Sequence, residues 1–94
     1  MRSRYTAFAR GDAGYLRRTW HRSTRPATVD VDPHTRWTRL RVLATDGGGP
    51  EDPTGTVEFR AHFRGADGEP GALHERSRFV RENGRWSYVD GEVR

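Results

Sequence analysis

A small group of polar residues that could transfer a proton falls on one face of a predicted β-hairpin, residues 73–91. Asn83-Gly84 lies at its centre and predicts a two-residue type I′ turn, because both turn positions need φ > 0. This turn pairs Ser77 with Asp90 and Phe79 with Tyr88. One face of the hairpin then carries Glu75, Ser77, Phe79, Arg81, Trp86, Tyr88 and Asp90.

Two interpretations of this face remain open. A carboxyl group held among aromatic rings loses hydration, which favours its neutral form and suits it to accept a proton near neutral pH. In that case the candidate catalytic residues are Tyr88, Asp90, Glu75 and His74. Alternatively, Ser77 and Asp90 pair near a strand end and Glu75 meets an arginine, so that the polar groups only tie strands together.

A pocket between helices and sheet would need large side chains around these polar groups. The candidate lining residues come from three parts of the chain: Tyr5, Trp20, Trp37, Ser77, Phe79 and Trp86. Each ring can bury roughly 150–250 Å², so a few rings can anchor the thin core of a small domain.

Metal and cofactor chemistry find little support in the residue types. The histidines His21, His34, His62 and His74 show neither H-x-H nor H-x₃-H spacing, and the chain has no cysteine. A metal site would need the fold to gather them with a carboxylate. The Gly47–Gly49 run lacks the GK[ST] ending of a phosphate loop, and no serine lies in a G-x-S-x-G turn. We therefore predict neither a metal site nor a cofactor.

The elements that position these residues can be read from hydrophobic spacing. Residues 1–10 and 13–20 predict two short helices, separated by Gly11 as a left-handed stop and Asp12 as an N-cap. Residues 37–45 and 55–64 predict strands, and the second carries Val57, Phe59, Ala61 and Phe63 on one face. Helices that precede and stay apart from four antiparallel strands predict an α+β domain.

Length and composition fit one small domain over residues 1–94. The chain has 17 Lys and Arg residues, all of them arginine, against 13 Asp and Glu, which gives a net charge of +4. No apolar run reaches the roughly 18 residues of a membrane span, and no apolar leader follows Met1, so we expect a soluble cytoplasmic protein. The helical pattern that already runs at residue 1 leaves open a domain start further upstream.

Arginines alternate with aromatic residues, as they do on sheets that bind single-stranded nucleic acid. The alternation of inward and outward side chains along the strands argues against nucleic-acid binding. If Phe59, Phe63, Phe79 and Trp86 form the core, no ring remains for an exposed stacking platform. The outward face then mixes arginine with glutamate, which is typical of a solvated ladder.

Several stretches of the chain resemble the YchJ-like family of small bacterial proteins. They are Met-Arg-Ser-Arg-Tyr with Ala-Phe (1–8), Gly-Asp with Tyr-Leu (11–16), Thr-Trp-His with Ser-Thr-Arg-Pro (19–26), and His-Glu-Arg-Ser-Arg-Phe with Gly-Arg-Trp-Ser-Tyr-Val-Asp-Gly (74–91). The resemblance implies a nuclear-transport-factor-2-like (NTF2-like) fold, in which a strongly curved antiparallel sheet wraps N-terminal helices into a cone with a pocket.

Members of this family usually carry a Cys-rich zinc motif similar to the tail of the secretion ATPase SecA. This sequence has no cysteine, so any partner that such a motif would bind is not implied here. The resemblance implies a fold and assigns no catalytic residue. A non-catalytic pocket or interaction module with an unidentified small-molecule or protein partner is the first expectation, with a homodimer through the open sheet face. A small-molecule lyase, isomerase or hydrolase is the second, and weak nucleic-acid association the third.

Overall fold

The structure is a computed structural model that describes residues 1–94. Two helices precede four strands along the chain. The elements are α1 (Arg2–Arg10), α2 (Ala13–Arg18), β1 (Arg36–Gly47), β2 (Thr54–Arg64), β3 (Pro70–Glu82) and β4 (Arg85–Val93). The strands form one open antiparallel sheet in the order β1-β2-β3-β4. The predicted α+β architecture is therefore confirmed.

The two helices begin and end where local chemistry dictates. Gly11 takes φ 71° and ends α1, because a left-handed residue costs glycine little. Asp12 caps α2 by accepting a hydrogen bond of 3.0 Å from the Tyr15 backbone N–H. Helix α2 ends at Arg18, two residues before its predicted end, and Trp20 instead forms an isolated parallel bridge with Tyr88 of β4.

The hairpin of β3 and β4 follows the predicted register only up to Tyr88. Asn83 and Gly84 take φ 53° and 76°, as the predicted type I′ turn requires. Phe79 pairs with Tyr88 as expected. The predicted pair Ser77–Asp90 is wrong, because Val89 forms a bulge that moves the following residues of β4 by one position.

The bulge lies where the segment after α2 contacts β4. The Val89 carbonyl accepts a 2.5 Å hydrogen bond from Thr24 Oγ1 instead of pairing with β3. On the same edge, the Tyr88 N–H donates to the Thr19 carbonyl at 2.8 Å, and the His21 N–H donates to the Tyr88 carbonyl at 2.7 Å. The segment thus covers the outer edge of β4, which would otherwise present unpaired backbone groups.

The core lies between the helices and the inner face of the sheet. Phe59 and Ala61 of β2 are 2% and 3% exposed, which confirms the predicted inward face of that strand. Leu16 of α2 is fully buried and Ala7 of α1 is 5% exposed. Two bulges in β1 bend the sheet around this core. No helix of the structure is long and apolar enough to cross a membrane.

Candidate functional site

A cavity of about 110 Å³ lies between α1 and the inner face of the sheet. Most of its wall is apolar, and four of the predicted pocket residues contribute to it. Its lining residues are Met1, Arg4, Tyr5, Phe8, Trp20, Trp37, Phe59, Ala61, Leu73, Glu75, Ser77 and Tyr88. The structure thus brings Tyr5, Trp20, Trp37 and Ser77 together with the candidate catalytic residues Glu75 and Tyr88.

One side of the cavity is an aromatic cluster centred on Trp37. The ring centroid of Trp37 lies 6.2 Å from that of Tyr5, 6.1 Å from that of Phe8 and 5.3 Å from that of Phe63. Trp20 and Tyr88 form a second, edge-to-face pair at 5.0 Å. Such tilted and edge-to-face arrangements hold the rings in defined orientations.

A wider, open cleft of about 400 Å³ adjoins the cavity. The other two predicted pocket residues, Phe79 and Trp86, line this cleft and not the smaller cavity. Arg4 and Tyr88 belong to the walls of both spaces, so they mark the boundary between them. The predicted pocket residues are therefore divided between two adjoining spaces.

The most unusual residue of the site is Arg4, which sequence reasoning did not select. Arg4 is only 4% exposed. Its Nη1 donates hydrogen bonds to the Leu16 carbonyl at 3.1 Å and to Thr19 Oγ1 at 2.7 Å. Its guanidinium carbon lies 4.4 Å from the ring centroid of Tyr88 and 5.4 Å from that of Trp20. Neutral acceptors and ring faces thus surround a buried cation.

No carboxylate lies within ion-pair distance of Arg4. Burial lowers the pKa of its guanidinium from the ordinary value, while Tyr88, Tyr15 and Glu75 act in the opposite direction. A guanidinium still holds its proton at neutral pH because its ordinary pKa is so high. The guanidinium of Arg4 is consequently a positive charge in the cavity wall that no carboxylate neutralises by direct contact.

Glu75 is the carboxylate of the cavity, and a serine holds it in place. Ser77 is fully buried, and its Oγ donates a 2.5 Å hydrogen bond to Glu75 Oε2. Gly91 lies opposite Ser77 on β4, where a Cβ atom would overlap the Glu75 carboxylate. Glu75 forms no ion pair, so the structure does not show the contact with an arginine that was one of the two expectations.

Tyr88 completes the polar part of the cavity. Burial, followed by the negative charge of Glu75, raises the pKa of the Tyr88 hydroxyl to about 12, and the Arg4 charge opposes this rise. The hydroxyl is therefore protonated at neutral pH. It can donate a hydrogen bond into the site, and it is a poor proton acceptor there.

Asp90 and His74 lie away from this cavity. The bulge at Val89 places Asp90 opposite Arg78, where Nε and Nη2 of Arg78 donate to both carboxylate oxygens at 2.6 and 2.5 Å. This contact lowers the pKa of the Asp90 carboxyl. His74 lies 2.7 Å from the Glu58 carboxylate, also outside the cavity. No group of three or more His, Asp and Glu side chains is arranged to hold a metal ion.

The outer face of the sheet carries most of the strand arginines. It holds a polar groove of about 410 Å³ lined by Thr56, Arg76, Arg78, Asp90, Gly91, Glu92 and Arg94. On β1 and β2, Arg41 pairs with Arg60 and Arg39 with His62, and none of these arginines has a carboxylate within 4.0 Å. Phe59 lies on the opposite, buried face, so its ring and the outer arginines lie on different faces of the sheet.

A signal for Arg4 does exist in the sequence. Arg4 lies three residues after Met1 and four before Phe8, on the same helix face as these apolar residues. An arginine in such a stripe is usually assumed to extend toward solvent, because arginine is rarely buried without a partner. The rings of Trp20 and Tyr88, which replace that partner, come from distant parts of the chain.

Comparisons with known proteins agree with this architecture. A UPF0225 protein of Streptomyces coelicolor is 59% identical over 92 residues, which are 98% of this chain and 70% of that protein. A UPF0225 protein of Deinococcus radiodurans is 47% identical over 90 residues, which are 96% of this chain and 64% of that protein. The chain therefore spans about two thirds of the length of these relatives.

A solved structure has the same fold. The solution structure of a SEC-C motif containing protein from Rhodopseudomonas palustris matches with a TM-score of 0.85 and 37% identity, over 100% of this chain and 75% of that one. The sequence model of the family described as YchJ, middle NTF2-like domain, matches residues 1–91. The chain therefore belongs to the YchJ family as its middle NTF2-like domain, which confirms the resemblance seen in the sequence.

Proposed function

We propose that this domain is a non-catalytic module that binds a small molecule in the cavity between α1 and the sheet. The observation that carries the proposal is the composition of the wall, where aromatic and aliphatic side chains surround only a few polar groups, among them Arg4, Glu75 and Tyr88. Binding sites for small molecules commonly combine apolar walls with a small number of placed polar groups.

The dimensions of the site support a ligand with a compact body. An engineered cavity of about 150 Å³ in another protein accepts benzene. The cavity here is about 110 Å³, and its boundary residues Arg4 and Tyr88 also border the open cleft of about 400 Å³. One ring or a short aliphatic chain can therefore occupy the cavity while polar substituents extend toward the cleft.

A thermal-shift screen with metabolites tests the proposal when a cavity-filling variant is included. Ala61 is 3% exposed and borders the cavity, so Ala61→Leu fills the space without removing a polar group. Ala44, which is exposed and pairs with Glu58 on β2, provides the matched control Ala44→Leu. We expect certain compounds to raise Tm of wild type and of Ala44→Leu but not of Ala61→Leu. Equal stabilisation of all three, or of none, would refute the proposal.

One observation supports an acid/base enzyme as a second candidate. Glu75 lies in the cavity without an ion-pair partner, and the protonated Tyr88 borders the same space. Such a lyase, isomerase or hydrolase would use Glu75 as the proton acceptor and Tyr88 as the donor. Compounds from the screen are incubated with wild type and Glu75→Gln, and products are sought by mass spectrometry. Turnover by wild type that Glu75→Gln loses would favour the enzyme over the binding module.

The predictions of a homodimer and of a cytoplasmic location remain predictions. A second copy docked on the outer face would bring Arg39, Arg41 and Arg60 toward the same arginines of its partner unless the two copies are offset. Like charges in close contact oppose association. An acidic protein therefore fits this face better than a second copy does, and sedimentation at several salt concentrations distinguishes the two.

A further inference from the structure

Two nitrogens of the buried Arg4 guanidinium have no acceptor in the protein. Both hydrogen bonds of this side chain come from Nη1, which leaves Nε and Nη2 without one. The structure contains no sealed side-chain nitrogen or oxygen without a hydrogen-bond partner. Nε and Nη2 must therefore reach accessible space, and Arg4 lines both the cavity and the cleft.

The charge of Arg4 likewise has no counter-ion in the protein. Charged groups this deeply buried are normally paired, because removing them from water costs several kcal/mol per ion. Arg4 is 4% exposed and has no carboxylate within 4.0 Å. The faces of Trp20 and Tyr88 compensate for part of the lost hydration, as rings do for cations. An anionic ligand would supply the missing counter-charge.

We propose that Arg4 binds a carboxylate group of the ligand, and that the ligand is a small monocarboxylate with an apolar body. This inference rests on the proposed function and names its ligand class. The planar guanidinium fork matches the two oxygens of a carboxylate, and its free donors on Nε and Nη2 suit such a contact. The apolar body lies among the rings that line the cavity.

Glu75 restricts the ligand to a single negative charge. It lines the same cavity as Arg4, and Ser77 holds it in place. Arg4 and Glu75 together contribute no net charge to the wall, so Glu75 would repel a second anionic group on the ligand. A phosphate ester, with a charge near −2 at neutral pH, is disfavoured for the same reason.

A purely structural role for Arg4 makes a different prediction. If Arg4 only holds the carbonyl at the end of α2 against α1, the site has no reason to prefer an anionic ligand over its neutral isostere. Benzoate and benzamide are suitable probes, because they share a ring and differ mainly in the charge of the planar substituent. Their relative affinity for the wild-type domain separates the two roles and requires no variant to fold.

The test is calorimetric titration with both probes, together with NMR of the arginine Nε–Hε groups in wild type. We expect benzoate to bind at least about tenfold more tightly than benzamide, and to shift the Arg4 Nε–Hε signal. Arg4→Met should lose this preference, whereas Arg10→Met, at the exposed end of the same helix, should keep it. The Arg4 signal is identified as the one that Arg4→Lys lacks.

Equal affinity for the two probes, or no binding of benzoate, would overturn the carboxylate assignment. Neither result would refute the binding module itself, which fails only if Ala61→Leu responds to the screened compounds as wild type does. A preference for benzoate that persists in Arg4→Met would also overturn the assignment, because another group would then recognise the charge.

Discussion

The two faces of the sheet use arginine in opposite ways. On the outer face, the exposed Arg78 forms two hydrogen bonds to the carboxylate of Asp90. On the inner side, Arg4 is 4% exposed and contacts a carbonyl, a hydroxyl and two rings, but no carboxylate. The side chain of Arg78 is 64% exposed to water. Arg4 is shielded from water and still has donors without a protein acceptor.

Arg78 is already neutralised by a neighbouring carboxylate, whereas the charge of Arg4 can still be neutralised by a ligand. An exposed ion pair is screened by salt and contributes little to stability. A buried cation without a counter-ion keeps its electrostatic potential, because the surrounding rings polarise less than water does. The exposed outer face therefore predicts tolerance to substitution, and the buried, unpaired cation of the inner site predicts sensitivity and ligand selectivity.

The largest expected difference between the faces is in core packing. Phe59→Ala removes a ring that is 2% exposed, and we expect it to lower the free energy of unfolding by about 3–5 kcal/mol. The adjacent, exposed Arg60→Ala should change it by less than about 0.5 kcal/mol. Urea unfolding of both variants measures the contrast, and similar losses would mean that the faces are assigned incorrectly.

The next effect concerns alkaline pH and Tyr88. Its pKa in the folded domain, about 12, exceeds the ordinary value of 10.0. The unfolded chain therefore loses this proton first, and stability that is complete below about pH 10 declines as the pH rises toward 12. We expect the urea midpoint of wild type to fall between about pH 9 and 11 more steeply than that of Tyr88→Phe. Parallel profiles would contradict the burial of this hydroxyl.

A smaller effect tests the electrostatics of the cavity directly. The Glu75 charge contributes to the raised pKa of Tyr88, and the Arg4 charge opposes it. Glu75→Gln should therefore lower the Tyr88 pKa, and Arg4→Met should raise it. The absorbance of tyrosinate during alkaline titration, with Tyr88→Phe used to identify the signal, measures both shifts. Shifts of the same sign would mean that the two charges do not act on Tyr88 from one cavity.

The smallest effect is expected on the outer face. Arg78 lowers the pKa of the Asp90 carboxyl below its ordinary 3.8, so the stabilisation from this pair exists above that pH and disappears as the pH falls through the folded value. Asp90→Asn should lower the urea midpoint only slightly at neutral pH, and high salt should remove the difference. A large loss that persists in high salt would contradict the tolerance to substitution expected of the outer face.

Much of the fold could be predicted because its signals are local. Asn83-Gly84 determines a turn within four residues, and Gly11-Asp12 ends one helix and caps the next. The alternation of β2 likewise identifies Phe59 and Ala61 as inward without any tertiary information. At each of these positions the structural constraint comes from residues adjacent in the chain, so it can be recognised from the sequence alone.

The features that escaped prediction depend on distant contacts. The bulge at Val89 coincides with a hydrogen bond from Thr24, which lies 65 residues away in the chain. It moved Asp90 out of the predicted site and into contact with Arg78. The role of Arg4 depends on the rings of Trp20 and Tyr88, which no helical pattern in residues 1–10 contains.

We expect the inner cavity, and not the basic outer face, to hold the ligand. The most direct test is a set of intermolecular nuclear Overhauser effects between benzoate ring protons and the wild-type domain. Binding in the cavity predicts contacts to the indole protons of Trp37 and Trp20 and to the Ala61 methyl group, all of which line the cavity. Contacts confined to the outer face, around Arg39, Arg41 and Arg60, would contradict it.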